Sequence, residues 1–333
     1  MKLKRLVLSA MVMTLISSTV FGGALDTKVV GGDASWVAHA DIEAILTSEL
    51  GKMFLAAAEK KEGFAKGIEA MKKQFGCDPL NDIRGITVYG PRLGERDAVV
   101  VVDATVATDK LIDILKAKES YESDKHGQHA VHQWTDVKKH NEKAETSYAC
   151  FYDNKTVVIA TGLKRLKNAL DVLDRKADNL AKTNAIESLP EVGKGAFFIL
   201  AADKVAFPKG KAPRAAVLKG ISAVAAQGGE ADGSVFVSVR VFAGSEEDAV
   251  NMRALVQGFL ALSVMMRQQE KFAELKDLGE KIDVGGKGKE VQVGATIPVK
   301  SVARILTFMQ ENRDAFGPRK RPSRRGDAEK TEE

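Results

Sequence analysis

Apolar and polar positions along this chain repeat one order: a β-rich run, a short polar or glycine break, then an amphipathic helix. Ala98 to Ala104 (AVVVVDA) precedes Thr108 to Ala117 (TDKLIDILKA), and Thr156 to Thr161 (TVVIAT) precedes Leu163 to Leu173 (LKRLKNALDVL). Ser234 to Phe242 (SVFVSVRVF) leads through Ala243-Gly244 into a helix expected from Ser245 to Gln269, and Lys289 to Ile297 leads into one from Pro298 to Asn312. A looser example is Ala34 to Ala40, after which Asp41 opens a helical region reaching Gly76.

Local chemistry supports these elements. Ser245 offers a hydroxyl at an N-cap, and Glu246, Glu247 and Asp248 put carboxylates in the first turn, where free amides and the helix dipole favour anions. Met252, Val256, Phe259, Leu260 and Ser263 recur at steps of three and four, which predicts one buried stripe. Asp78-Pro79 reads as the N-cap and first residue of a short turn before a strand from Gly85 to Tyr89, and Pro298 heads the last helix by the same rule. In Ser234 to Phe242 the valines 235, 237, 239 and 241 alternate with Ser238 and Arg240, while Phe236 and Phe242 interrupt the polar side. Asp153-Asn154-Lys155 joins Ser147–Tyr152 to Thr156–Ala160 as a hairpin.

One-sided strands and hairpins predict an α+β fold: two related halves of mainly antiparallel sheet with helices packed on one face. The halves divide between Ala177 and Gly195, because Ala177 to Lys194 is polar and contains Pro190. The expected organisation is a signal peptide at 1–24, a first half at 25–180, a second at 181–316 and a disordered tail at 317–333.

The leader follows from Lys2, Lys4 and Arg5, then sixteen mostly apolar uncharged residues from Leu6 to Phe21, then Gly22, Gly23 and Ala24. Gly22 and Ala24 at −3 and −1 place cleavage before Leu25; Val20 with Gly22 offers the alternative after Gly22. The expected location is therefore periplasmic or extracellular. The longest uncharged apolar stretch beyond the leader, Ala254 to Met266, is thirteen residues, shorter than the roughly 20 needed to span a bilayer.

The net charge of +5 does not belong to the body of the chain. Three cations belong to the leader, and the tail from Gly317 to Glu333 holds six cations against four acids, so the body carries equal numbers of each sign. A neutral body has no electrostatic footprint for nucleic acid. The tail is too poor in apolar residues to fold, and its cations suit weak contact with an anionic surface.

Several stretches resemble exported bacterial proteins of unknown function. They are the run from Trp36 through Asp78-Pro79-Leu80-Asn81-Asp82-Ile83 to Tyr89-Gly90, Trp134-Thr135-Asp136, Phe151 to Val158, and Gln257 to Leu262. The resemblance covers most of residues 34 to 312 and implies duplicated α+β halves in a periplasmic or secreted protein. Its motifs are turns, caps and core positions, so it implies no catalytic residues.

Candidate chemistry is sparse. His126, His129, His132 and His140 fall within fifteen residues, which suggests a metal site. Against it, Gln128 to Thr135 reads as a strand that turns His129 and His132 to opposite faces, and Lys125, Lys138, Lys139 and Lys143 surround the cluster. The expectation is a solvated hairpin without metal. Cys77 and Cys150 would be permitted a disulfide after export, and the sequence leaves their pairing open. Gly285-Gly286-Lys287-Gly288 lacks the spacing of a phosphate loop and precedes a strand, so it reads as a turn. Asp109 and Asp113 sit four apart among lysines, which is ordinary helix-surface chemistry. No catalytic residue or cofactor is assigned. The leading expectation is an exported non-enzymatic binding or interaction protein of the cell envelope, taking an apolar small ligand or a protein partner. The competing one is an exported hydrolase with a dispersed carboxylate site.

Overall fold

The computed structural model describes residues 24–93, 97–136, 145–205, 220–267 and 282–311. Its first half runs β1 (Trp36–Asp41), α1 (Ile42–Thr47), α2 (Glu49–Glu59), α3 (Phe64–Phe75), β2 (Ile83–Gly90), β3 (Val99–Ala104) and α4 (Thr108–Lys116). It continues through β4 (Glu122–His126), β5 (His129–Asp136), β6 (Glu145–Phe151), β7 (Thr156–Ala160) and α5 (Leu163–Leu173). After the short α6 (Leu180–Thr183) come β8 (Ala196–Asp203), β9 (Ile221–Ala231), β10 (Ser234–Ala243), α7 (Glu246–Arg267), β11 (Ile282–Gly285), β12 (Glu290–Pro298) and α8 (Val299–Glu311).

The fold is α+β. All twelve described strands pair antiparallel in one sheet of order β11-β12-β10-β9-β8-β1-β2-β3-β7-β6-β5-β4. From the centre outward, β1-β2-β3-β7-β6 is mirrored by β8-β9-β10-β12-β11, with β1 hydrogen-bonded to β8 between them. The β4–β5 hairpin extends the first side alone.

Register assigns each side chain to a face. Val37 stands opposite Tyr89 and Ala201, and Tyr89 opposite Val99. These residues form the main core with Val158 and Cys150 of the sheet, Leu166 and Leu170 of α5, and Val30 and Ala34 of the entering segment. Leu166, Ala169, Leu170 and Val172 are the buried positions of α5; their three- and four-residue spacing makes the helix one-sided. Full burial of each leucine contributes on the order of 2 kcal/mol. On the opposite face α7 packs through Ala249 and Met252 onto Val241 and Val291. α5 and, through Leu180, the short α6 take the first face.

Three expectations need revision. Phe259 is 64 % exposed, so the α7 stripe does not include it; the helix meets the sheet through Ala249 and Met252 instead. Leu180 and Ile186 are nearly fully buried in the first core, so part of the expected linker is packed structure. The helical region from Asp41 to Gly76 is three helices, broken at Ser48, which caps α2 through Gly51 N, and again before Gly63. Four strands escaped the pattern reading. β8 is a plain apolar run, β9 is rich in alanine and glycine, β4 is polar throughout, and β11 has four residues. Asp232 and Gly233, at φ 51° and 73°, form the tight β9–β10 turn and were the available signal.

Candidate functional site

Among the described residues the second face of the sheet is an apolar floor that the helices cover only in part. One row of paired residues crosses ten strands from Ala149 through Val100, Ala38, Leu200 and Val239 to Val284. The next row passes through Ile86, Ala40, Phe198, Gly228 and Val237 to Ile282. Every side chain in both rows is apolar. At about 4.8 Å per strand the rows extend about 40 Å. A sheet face beneath helices is ordinarily buried, yet Phe198 is 41 % and Val237 48 % exposed. Gly228 lies between them in register, and the absent side chain leaves a shallow groove. Alanine at 38, 40 and 226 keeps the central floor low.

The rims differ in character. α1 lies against β2 and β8, α7 against β10, β11 and β12, and α8 against β10, β12 and α2. At one end of the first row His132 sits opposite Ala149, its Nδ1 2.9 Å from the Tyr121 hydroxyl and its ring 5.5 Å from Phe151. Burial, then the Lys116 charge, lowers its pKa, favouring the neutral imidazole. Beyond the second row Glu230 turns its carboxylate to the backbone N–H groups of Glu49 and Leu50, at 2.9 and 2.8 Å.

Comparison with protein-family models finds no match, and neither does comparison with curated proteins. Among solved structures, crystal form III of the Treponema protein TP0453 aligns over 85 % of this chain and 98 % of its own, at 10 % identity and a TM-score of 0.44. Crystal forms I and IV give 11 % and 10 % identity, with TM-scores of 0.42 and 0.41, over 86 % and 85 % of this chain and 98 % and 97 % of theirs. The likeness is too distant to define a shared function.

The histidines lie apart from the groove centre. His126 and His129 point to the α5 face: His126 Nε2 is 2.8 Å from Asp171 Oδ1, and His129 Nε2 is 2.9 Å from Asp174 Oδ1. Asp174 also accepts from the Tyr152 hydroxyl at 3.1 Å and from Lys176 Nζ at 2.7 Å. These donors, Lys176 first and then His129, lower its carboxyl pKa to about 2. His132 occupies the other face, as strand alternation requires, and the three rings do not converge on a point. Among the described residues no set of three His, Cys, Asp or Glu groups could hold a metal ion. His140 lies outside the described residues.

Cys77 follows α3 and Cys150 is buried in β6; both are free thiols. Burial first, then the Asp174 charge, raises the Cys150 thiol to about 11, which leaves it inert. Gly286 and Gly288, with φ of 108° and 54°, form the turn into β12. Asp109 and Asp113 lie on α4, with Asp113 4.0 Å from Lys116. A polar cleft of about 610 Å³ opens beside the start of α5, where Arg165 pairs with Asp97 at 2.9 Å and with Asp33. Those charges are engaged with one another and pin the entering segment to α5. The tail from 317 to 333 lies outside the described residues.

Sequence reasoning missed the groove because its decisive residues, Phe198 and Gly228, lie on two strands it did not identify. The run Gly195 to Ala202 carried the only available hint.

Proposed function

We propose that this chain is an exported, non-enzymatic binding protein of the cell envelope whose apolar sheet face holds an elongated aliphatic ligand such as an acyl chain. The carrying observation is the pair Phe198 and Val237, exposed on either side of Gly228 within rows that contain no polar side chain. A floor without hydrogen-bonding side chains selects by burial of apolar area rather than by polar recognition. Its length and narrow central relief suit a linear chain better than a compact one. The hydrolase reading needs two convergent carboxylates, one held protonated by its surroundings. Burial raises the pKa of Asp41, but its Oδ1 already accepts from Ala44 N, 2.8 Å away, and caps α1.

The test is titration of the purified chain, beginning at Leu25, with a fluorescent sixteen-carbon fatty-acid analogue. Saturable uptake is expected. A Cβ at Gly228 would meet Phe236 O at 3.4 Å and Val237 Cγ2 at 3.7 Å, so the site accepts a side chain. Gly228→Val should weaken uptake at least about tenfold by filling the groove, equivalent to about 1.4 kcal/mol. Val237→Lys should do the same by placing a charge on the floor. Absence of uptake by the native chain, or uptake indifferent to both variants, would refute the proposal.

A further inference from the structure

A second cavity, of about 270 Å³, lies on the α5 face under the entering segment. Register explains why it exists. Gly85 stands between Asp41 and Asp103 across β1, β2 and β3, and it adds no side chain to the cavity floor. The floor beside it is polar: His39 and Thr87 are each 5 % exposed, with His39 Nδ1 2.9 Å from the Thr87 hydroxyl. Carboxylates reach the cavity from three separate segments. Asp26 comes from the entering segment, Asp103 from the end of β3 and Asp153 from the β6–β7 turn.

Each carboxylate has one oxygen in use. Asp26 Oδ1 accepts from Lys28 N at 2.9 Å, Asp153 Oδ1 accepts from Lys155 N at 2.8 Å, and Asp103 Oδ1 pairs with Arg84. Lys155 is the cation lining the cavity, so acids outnumber bases at its wall.

The wall also includes Ala24, while Leu25 and Val29 pack against the main core. The peptide bond between Ala24 and Leu25 therefore lies at this cavity, and it is the bond the leader pattern marks for cleavage. Hydrolysis there consumes one water, leaves a carboxylate on the departing leader and creates an α-amino group on Leu25. We infer that this α-ammonium is the cavity's occupant: maturation removes Ala24 from the wall and puts a cation among Asp26, Asp103 and Asp153. Leu25, held by the core, fixes where the charge falls. The inference rests on the export reading for its biological meaning, but the docking itself depends only on a chain that starts at Leu25.

Docked beside carboxylates, the α-amino group has a folded-state pKa above its unfolded value of roughly 8. The added stability is then complete below pH 8 and disappears as pH rises through the folded value. The other groups facing it are His39 from β1, Asp103 with its partner Arg84 from β3 and β2, and Asp153 and Lys155 from the turn. Acetylation removes the charge of this amino group alone and leaves the Lys155 ammonium in place, so comparing free and acetylated chains isolates its contribution.

The experiment compares the chain released with a free Leu25 terminus and the same chain acetylated at that nitrogen. The free form should melt about 2–4 °C higher at pH 7, a difference that closes by pH 10. Asp103→Asn and Asp153→Asn should each shrink the difference while changing the acetylated form less. If those variants do not fold, titration of the ¹⁵N-labelled Leu25 amine in the native chain decides, with a pKa at least about one unit above 8 expected. Equal melting of the two forms at pH 7, or an amine titrating at or below its ordinary value, would overturn the inference. The N-terminal residue of chain recovered from cells separately tests the export reading; a mature start two residues earlier, after Gly22, would deny Leu25 this role in the cell without affecting the docking measurement.

Discussion

At Asp174 one carboxylate joins three parts of the first half. It receives His129 from the β4–β5 hairpin, Tyr152 from the end of β6, and Lys176 from the segment after α5, with its own side chain only 8 % exposed. His129 also stacks on Tyr152 with ring centroids 4.7 Å apart. The hairpin expected to lie in solvent is instead clamped to α5 by two of the four clustered histidines, His126 and His129. Hydrogen bonds to a charged acceptor are the stronger class, so Asp174→Asn should cost about 2 kcal/mol at pH 7 in denaturant unfolding. Because the folded pKa of about 2 lies below the ordinary 3.8, its contribution is present above pH 4 and lost as pH falls toward 2. The Asn variant should therefore lose less stability than the native chain over that interval. An unchanged acid profile would remove Asp174 from this role. The histidines were legible as a cluster, but not their purpose, because Asp171 and Asp174 lie some 45 residues away and reach them only through the return of α5.

Elements were legible where the local hydrophobic period is strong, with a side-chain cap at α7 and without one at α4 and α5. The helix Leu163–Leu173 coincides with its expected span, and Ser245 caps α7 as predicted, its Oγ 3.1 Å from Asp248 N. The hairpin around Asp153-Asn154-Lys155 and the helix after β3 also follow the sequence closely. Legibility ended where an element depends on another part of the chain. Ser48 caps α2 locally, but the amides of Glu49 and Leu50 are satisfied by Glu230, some 180 residues distant. Glu230→Ala should destabilise the fold by about 1–2 kcal/mol, since it leaves two helix-terminal donors without that acceptor; Glu230→Gln should recover part of the loss. Equal stabilities of all three chains in urea would show that water replaces the carboxylate at no cost. α7 failed differently. Its apolar spacing was read correctly as helix, but which side meets the sheet depends on the strands beneath it, and Phe259 faces solvent.

Across the whole molecule, the two mirrored strand sets share β1 and β8 at the centre of one sheet. Val37 and Ala201, facing each other there, are both completely buried in the main core. Neither set can open without exposing that seam, so calorimetry should record a single transition with matching calorimetric and van't Hoff enthalpies. Ala201→Asp, which puts an unpaired charge into the seam, should unfold both sets together. Two resolved transitions would show independent halves. The duplicated character was visible in the sequence because it is written in local order, strand then helix. Its closure into one sheet was not, because β8 and β9 lack alternation: β8 is a plain apolar run and alanine and glycine fill much of β9. By itself the sequence determined the secondary elements with a strong local period and the α+β class, both of which rest on near neighbours in the chain. Only tertiary structure decided which face each helix covers, that Phe198 and Val237 flank an open groove, and that Ala24 adjoins acids from two distant strand ends. Those outcomes arise from register between strands, which joins residues far apart in sequence and leaves no periodic trace in either partner alone.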